Sequence, residues 1–328
     1  MVISHYMRFY RVICIFFLFL LFNFNAHSQN KPAKFIQETH YLLALPDGYD
    51  ADTSKKWPLV IFLHGSGERG SDLAKVKVHG PPKLVDQGKK FPFILVSPQA
   101  PDNESWEPRS LYKLLRYIKE TERVDDKKVY LTGLSMGGYG TWALAMEHPE
   151  EFAAIAPVCG GGDSSKAWRL RHVAIWNFHG AKDDVVFPEQ SDRMVTAARR
   201  HNHNVRYTLY PEANHNSWDS AYSNDNLYSW LLSQTKFEYG EKQVDLSTLK
   251  EYVGKYSREK NDTIGISIVN GKLLATPGRD SIYLRNFDKD SFFIEPQIPV
   301  EIIFLRKNNK VNSFMVLDEN RSVYPRIN

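Results

Sequence analysis

The chain has 328 residues, of which 42% are apolar and 24% are charged, and its formal net charge is +4. These values are typical of folded globular proteins and exclude the disordered and fibrous classes, while the length allows one large domain plus a small one. No single run concentrates the lysines and arginines, which argues against a nucleic-acid partner.

Residues 1–28 have the pattern of a secretory signal peptide. Arg8 and Arg11 precede an apolar run from Val12 to Phe22, and Ala26-His27-Ser28 offers a small-x-small cleavage site. The run is shorter than the roughly 20 apolar residues of a membrane span, although an uncleaved anchor stays an alternative. We therefore expect cleavage after Ser28, a periplasmic or extracellular location, and no membrane span in the mature protein.

Cleavage would also change the charge and the cysteine content. It removes Arg8, Arg11 and Cys14 but no acidic residue, so the net charge becomes +2. Cys159 is then left without an intrachain partner, and we expect an exported protein that folds without disulfides.

From Gln37 to about Gln234, short apolar strands alternate with amphipathic helices. Strands are predicted at 58–64, 92–97, 128–132, 153–158, 173–178 and 205–210, and helices at 109–121, 136–148, 188–201 and 218–233. Strands that are apolar throughout suit a parallel sheet covered on both faces. The pattern predicts a doubly wound, mostly parallel α/β domain over residues 29–240.

Residues 241–328 have a different pattern, with short strands, turn signals and no predicted helix from Leu249 onward. Thr263–Val269 and Lys272–Ala275 read as a hairpin, because the Asn270-Gly271 pair between them favours a turn that matches strand twist. Further strands are predicted at 281–287, 291–295, 301–306, 313–318 and 323–326. The prediction is a small all-β domain, either a barrel or a sandwich.

One five-residue turn carries a candidate nucleophile. Gly133-Leu134-Ser135-Met136-Gly137 fits the Gly-x-Ser-x-Gly pattern, and it lies between a predicted strand and a predicted helix. Glycines permit so tight a turn, because a larger side chain would collide with neighbouring backbone. A serine nucleophile also needs a base, a group that orients the base, and donors for the developing oxyanion.

Three further segments offer those groups. The loop Leu63–Gly70 follows an early strand, so the backbone N–H groups of Ser66 and Met136 are the predicted oxyanion donors, with His64 as a structural brace. Asp183 and Asp184, after the strand at 173–178, are both candidates for the acid. His215, between a strand and the last helix, is the predicted base.

A metal centre is not predicted. His201 and His203 lie on or beside a solvated helix end, and a His-x-His pair without a third ligand is a weak signal. The candidate catalytic residues follow one another in the order Ser135, then Asp183 or Asp184, then His215. This is the order expected for an α/β-hydrolase.

These segments resemble the α/β-hydrolase superfamily, and within it the phospholipase/carboxylesterase and feruloyl-esterase-like "predicted peptidase" group. The resemblance covers about residues 36–235 and includes His179-Gly180-Ala181-Lys182-Asp183, whose aspartate is the triad acid in that family. It therefore implies Asp183 rather than Asp184, and it implies no cofactor. Asn214 stands where the family usually has a glycine before the base. The start of the C-terminal domain resembles small β-domains appended to some secreted serine hydrolases.

The predicted function is an exported serine hydrolase that cleaves carboxylic esters through a Ser135–His215–Asp183 triad. Its substrate is expected to be a small-molecule or polysaccharide-linked ester, and Trp106 and Trp218 are candidate substrate contacts. Two alternatives stay open: a serine peptidase of the prolyl-oligopeptidase type, and a non-catalytic binding protein that acts through its C-terminal domain.

Overall fold

A seven-stranded sheet forms the centre of residues 41–210. The computed structural model describes residues 38–259, 262–295, 300–318 and 321–327. The strands are β1 (Tyr41–Ala44), β2 (Trp57–Leu63), β3 (Ile94–Pro98), β4 (Val124–Leu134), β5 (Ala154–Val158), β6 (Ala174–Gly180) and β7 (Val205–Tyr210). Their order is β1-β3-β2-β4-β5-β6-β7, and all are parallel except β1, which pairs antiparallel with β3.

Helices cover both faces of this sheet. They are α1 (Gly80–Asp86), α2 (Pro108–Thr121), α3 (Met136–Glu147), α4 (Glu189–Arg199), α5 (Trp218–Ser223) and α6 (Asp225–Ser233). Helices α2, α3 and α4 contribute to one apolar core, and α1, α5 and α6 contribute to the other. The predicted doubly wound α/β class is confirmed.

Strand β2 is apolar throughout because both faces of the sheet are covered there. Leu59, Ile61 and Leu63 enter the core on one face, while Val60 and Phe62 enter the core on the other. Side chains alternate between the faces of a strand, so a strand covered on both sides has no solvent-facing position.

The C-terminal residues form a closed barrel of eight antiparallel strands, which decides between the predicted barrel and sandwich. The strands are β8 (Gly254–Ser257), β9 (Thr263–Val269), β10 (Lys272–Pro277), β11 (Ile282–Asp288), β12 (Ser291–Phe293), β13 (Glu301–Lys307), β14 (Lys310–Leu317) and β15 (Ser322–Ile327). Asn270 and Gly271 have φ values of 51° and 74°, as the predicted hairpin turn requires. Aromatic side chains from Tyr252, Tyr256 and Phe304 fill the barrel.

Two sequence predictions about helices were wrong. The helix predicted at 218–233 is two helices, because the Asn224 side chain accepts from the N–H of Asn226 and starts α6 there. A helix also lies in the segment where none was predicted, α7 (Leu246–Tyr252), which buries Leu249 and Tyr252 under the barrel core.

The predicted signal peptide lies outside the described residues. Within the described ranges, no helix is long and apolar enough to cross a membrane. The domain boundary near residue 240 falls between α6 and α7 and stays a prediction. Cys159 is a free, buried cysteine.

The barrel contacts the α/β domain through a buried carboxylate. Glu301, at the start of β13, accepts hydrogen bonds on Oε1 from Arg171 Nε (2.7 Å) and Tyr239 OH (2.7 Å), and His172 Nε2 lies 2.6 Å from the same oxygen. We call these four residues the Glu301 cluster. Thr39–Asn328 form one compact unit.

Candidate active site

Ser135 lies on a strained turn at the carboxyl end of β4. Its backbone angles are φ 50° and ψ −115°, and its N–H donates to the carbonyl of Val158. A Cβ on Gly133 would lie 2.4 Å from the carbonyl oxygen of Gly137, and one on Gly137 would lie 2.0 Å from that of Leu63. Both glycines of the motif are therefore needed to bring Ser135 into this position.

His215 and Asp183 extend a hydrogen-bonded series from Ser135. His215 Nε2 lies 3.0 Å from Ser135 Oγ, and His215 Nδ1 lies 2.8 Å from Asp183 Oδ2. The carboxylate only accepts, so Nδ1 carries the hydrogen and Nε2 is left to accept the hydroxyl proton. Asp183 is 3% exposed, and its Oδ1 accepts the N–H groups of Val185 and Val186, which fix its orientation.

The predicted oxyanion donors lie at the starts of two short helical segments. Met136 is the first residue of α3, and Ser66 is the first residue of a 3₁₀ helix over Ser66–Glu68. The first N–H groups of a helix have no acceptor within it, so both are available to a ligand. A Cβ on Gly65 would lie 2.8 Å from Leu134 Cδ1, so the Ser66 loop packs directly against the turn that holds Ser135.

His64 braces this loop, as predicted from its position. Its Nε2 accepts the N–H of Ala100 at 3.0 Å, and its Nδ1 donates to the carbonyl of Gly65 at 2.5 Å. Burial lowers the pKa of His64 to about 4, so the ring is neutral at ordinary pH. Trp106 Nε1 donates to the His64 carbonyl at 3.0 Å and ties a second loop to the same point.

The two predicted aromatic contacts have different neighbours in the site: Trp218 contacts the base, and Trp106 lines a groove beside Met136. The Trp218 ring meets the His215 ring edge-on, with centroids 5.2 Å apart. Trp106, Met136 and Tyr139 line a groove of about 420 Å³. Ser105, Gly140 and Ala143 complete the lining. The lining of the groove is therefore mainly aromatic and apolar, and it includes Met136, one of the two predicted oxyanion donors.

The other candidate acid and the two histidines of the His-x-His pair are not part of this hydrogen-bonded series. Asp184 is exposed, and the carboxylate that contacts His215 belongs to Asp183. His203 is exposed and His201 is partly buried.

One set of potential metal ligands includes His215 and Asp183, the two residues in series with Ser135. Among the described residues, ligand atoms of Cys159, Asp183 and His215 lie within 4.8 Å of one another. A metal-binding cysteine must be a thiolate, but burial raises the pKa of Cys159 to about 12. The thiol therefore stays protonated, and we interpret the set as the His215–Asp183 pair with a buried thiol beside it.

His179, the first residue of the His-Gly-x-x-Asp motif, is a functional residue for which the sequence alone predicts no role. It is fully buried, and its Nε2 lies 3.1 Å from Asp183 Oδ2, on the oxygen that also meets His215. The His-Gly-x-x-Asp spacing was the available signal, because it places the two side chains at the same carboxyl end of β6.

The arrangement can support nucleophilic attack on a carbonyl carbon. It presents a hydroxyl in contact with an imidazole, a buried carboxylate on the other nitrogen of that imidazole, and two predicted oxyanion donors at the starts of helical segments. These are the parts that acyl transfer through a serine requires.

Comparison with known proteins gives an independent indication. The Esterase family model matches residues 33–204, just over half of the chain. A solved structure described as a thermostable esterase has 35% sequence identity and a TM-score of 0.52, and the match covers 60% of this chain and 59% of that one.

Two curated relatives are esterases from fungi. The bifunctional acetylxylan esterase/xylanase XynS20E of Neocallimastix patriciarum is 26% identical over 184 residues, which are 53% of this chain and 26% of that protein. Feruloyl esterase C of Emericella nidulans is 26% identical over 157 residues, 46% of this chain and 57% of that protein. The chain thus matches between about a quarter and three fifths of the length of these relatives.

Proposed function

Because this chain belongs to the Esterase family, we propose that it hydrolyses carboxylic esters through an acyl-enzyme formed on Ser135. The observation that supports this most directly is the series from Ser135 Oγ to His215 Nε2 (3.0 Å) and from His215 Nδ1 to Asp183 Oδ2 (2.8 Å). A serine on a strained turn, with an imidazole and then a buried carboxylate behind it, is the arrangement that acyl transfer through a serine requires.

In the first step, Ser135 Oγ attacks the ester carbonyl carbon while its proton passes to His215 Nε2. Asp183 stabilises the imidazolium that forms, and the N–H groups of Ser66 and Met136 bind the oxyanion. When the C–O bond to the alcohol breaks, His215 returns its proton to the leaving oxygen.

In the second step, a water molecule replaces the alcohol. His215 takes a proton from the water as the water oxygen attacks the acyl carbon, and the Ser135 Oγ leaves with the proton that His215 gives back. The products are a carboxylic acid and the alcohol, and the side chains return to their starting states.

For the substrate, we infer an acyl ester carried on a polysaccharide, with the acyl group in the groove beside Met136. Two features support this: the relatives are named acetylxylan esterase and feruloyl esterase, and Trp106 and Tyr139 offer flat apolar walls. The predicted signal peptide agrees with a polymer substrate outside the cytoplasm, and N-terminal sequencing of the mature protein tests cleavage after Ser28.

The chemistry is tested with chromogenic acetyl, feruloyl, longer acyl and dipeptidyl substrates on the wild type and on Ser135→Ala. We expect ester cleavage by the wild type, and a loss of at least about 10³-fold in Ser135→Ala with unchanged folding by circular dichroism. Cleavage of the peptide amide well above the esters would replace the proposal with a peptidase. Unchanged ester cleavage in Ser135→Ala would refute it.

The acyl groove is tested separately with Trp106→Ala. We expect kcat/KM for a feruloyl ester to fall about tenfold more than for an acetyl ester, because only the aromatic acyl group reaches the ring. Trp106→Phe is the matched control, since it keeps a ring but loses the bond to the His64 carbonyl. An equal loss on both esters in Trp106→Ala would place the acyl group elsewhere.

A further inference from the structure

His179 and His215 both contact the Asp183 carboxylate, and they meet the same oxygen of it. Asp183 Oδ2 is 2.8 Å from His215 Nδ1 and 3.1 Å from His179 Nε2. Both the His179 ring and the Asp183 side chain are fully buried, so neither shares this contact with solvent.

The hydrogen-bond partners of His179 determine which of its nitrogens carry hydrogen. Nε2 lies 2.8 Å from the carbonyl oxygen of Val186, which can only accept, so Nε2 must carry a hydrogen. Nδ1 lies 2.7 Å from Ser191 Oγ, and Ser191 Oγ donates its one hydrogen to the carbonyl of Gly160 at 2.9 Å. Ser191 therefore has no hydrogen left for Nδ1, and Nδ1 must donate as well.

We propose that His179 is a buried imidazolium that pairs with Asp183 and acts as a positioning residue for the Ser135–His215–Asp183 series. In this state every polar atom of the network has a partner: Val186 and Gly160 carbonyls, the Ser191 hydroxyl and the Asp183 carboxylate. A neutral His179 would leave either Nδ1 or the Gly160 carbonyl without a hydrogen bond in a buried place, which is unfavourable.

The surrounding groups are consistent with a single buried ion pair. Asp183 contacts His179 directly, and His215 and Cys159 lie beside the same carboxylate. Tyr139 of α3 also lies near Asp183, and Arg193 of α4 lies near Tyr139. Burial raises the pKa values of Cys159 and Tyr139, so both are neutral. The negative charge of Asp183 is thus the one that compensates His179.

A permanent charge at His179 has a consequence for the base. The two facing nitrogens both contact Asp183 Oδ2, so they are at most about 6 Å apart. A cation at that distance opposes proton uptake by His215 and keeps it a free base at lower pH. Resting on the proposed function, this means that His179 extends ester hydrolysis towards mildly acidic pH.

The first test reads the protonation of His179 without any activity. In the full chain labelled with ¹⁵N-histidine, two-bond ¹H–¹⁵N spectra at pH 8 should show both His179 ring nitrogens protonated, with the resonances assigned by their disappearance in His179→Gln. If that variant does not fold, the perturbation caused by Ser191→Ala gives the assignment. An unprotonated Nδ1 resonance would overturn the proposal.

The second test follows kcat/KM for an acetyl ester against pH, which reports the free enzyme. In His179→Gln, the pH of half-maximal activity on the acid side should rise by about one to two units, because a charge about 6 Å from the base has been removed. Ser191→Ala should shift it in the same direction, since Nδ1 loses its acceptor.

Thr141→Val is the matched control for Ser191→Ala. Thr141 is also a buried hydroxyl that donates to a carbonyl beside the Ser135 turn, that of Gly137 at 2.8 Å, but it does not contact His179. Its profile should coincide with the wild type. If the pH profile of His179→Gln has a lower maximum but the same midpoint, His179 has only a packing role. If the wild type has no esterase activity, the proposed function is refuted, and the spectroscopic test alone decides on the charge of His179.

Discussion

The Glu301 cluster is expected to make the stability of this protein depend on pH in a defined way. Glu301 has a side chain that is 4% exposed and joins the barrel to Arg171 and His172 of the α/β domain. Burial alone would raise the pKa of Glu301, but the contacts from His172, Arg171 and Tyr239 outweigh it and lower the pKa from 4.5 to about 2.

That shift sets both the size and the pH window of the effect. A pKa lowered on folding stabilises the folded state above the unfolded pKa of 4.5, and the stabilisation is lost as the pH falls through the folded pKa of about 2. The size is about 3 kcal/mol at pH 7 and about half of that at pH 3. Glu301→Gln should therefore lose about 3 kcal/mol in the free energy of unfolding at pH 7, since it also leaves Arg171 unpaired in a buried place.

Urea unfolding at pH 7 and pH 3, followed by circular dichroism, measures this directly. Asp288→Asn is the matched control, because its pair with Lys242 has side chains that are 68% and 60% exposed, and it should unfold like the wild type. A Glu301→Gln protein as stable as the wild type at pH 7, or a deficit in the free energy of unfolding that stays constant at pH 3, would show that the Glu301 carboxylate does not stabilise the fold in this way.

Two further predictions concern buried groups near Ser135. Burial lowers the pKa of His64 from 6.5 to about 4, so its stabilising effect is full above pH 6.5 and decreases by about 3 kcal/mol as the pH falls through about 4. In His64→Gln, the loss of unfolding free energy between pH 7 and pH 4 should be smaller by that amount, and an identical slope would contradict the assignment of a neutral buried ring. Burial raises the pKa of Cys159 to about 12, so iodoacetamide at pH 8 should modify this thiol only when urea unfolds the protein. Peptide mass mapping detects the modification, and rapid modification of the folded protein would show that the thiol is not buried as described.

The α/β domain could be predicted from sequence because its signals are local and repeated. Each parallel strand is a short apolar run, and the Ser135 turn has glycines whose need is steric, since the site of a Cβ on Gly137 is occupied by the Leu63 carbonyl. The parallel strands all end at one edge, so the order of the motifs was enough to bring Ser135, Asp183 and His215 together.

Features that depend on contacts distant in sequence could not be predicted. The helix α7 has only seven residues, and what stabilises it is the burial of Leu249 and Tyr252 against strands that follow it. The bonds of Glu301 reach residues about 130 positions away, and no local pattern marks them. The partners of His179 follow it closely in sequence, but the Ser191 hydroxyl is bonded to the carbonyl of Gly160, 31 positions away, so the motif was visible and the network was not.

The proposed mechanism requires Ser135 to be the activated nucleophile. Labelling the folded protein with a fluorophosphonate and mapping the modified peptide by mass spectrometry measures this in one step, because only a serine activated by its base reacts rapidly. We expect a single labelled site at Ser135, no labelling in Ser135→Ala, and strongly reduced labelling in His215→Ala. An unlabelled wild type, or a label on another serine, would show that Ser135 is not the activated nucleophile.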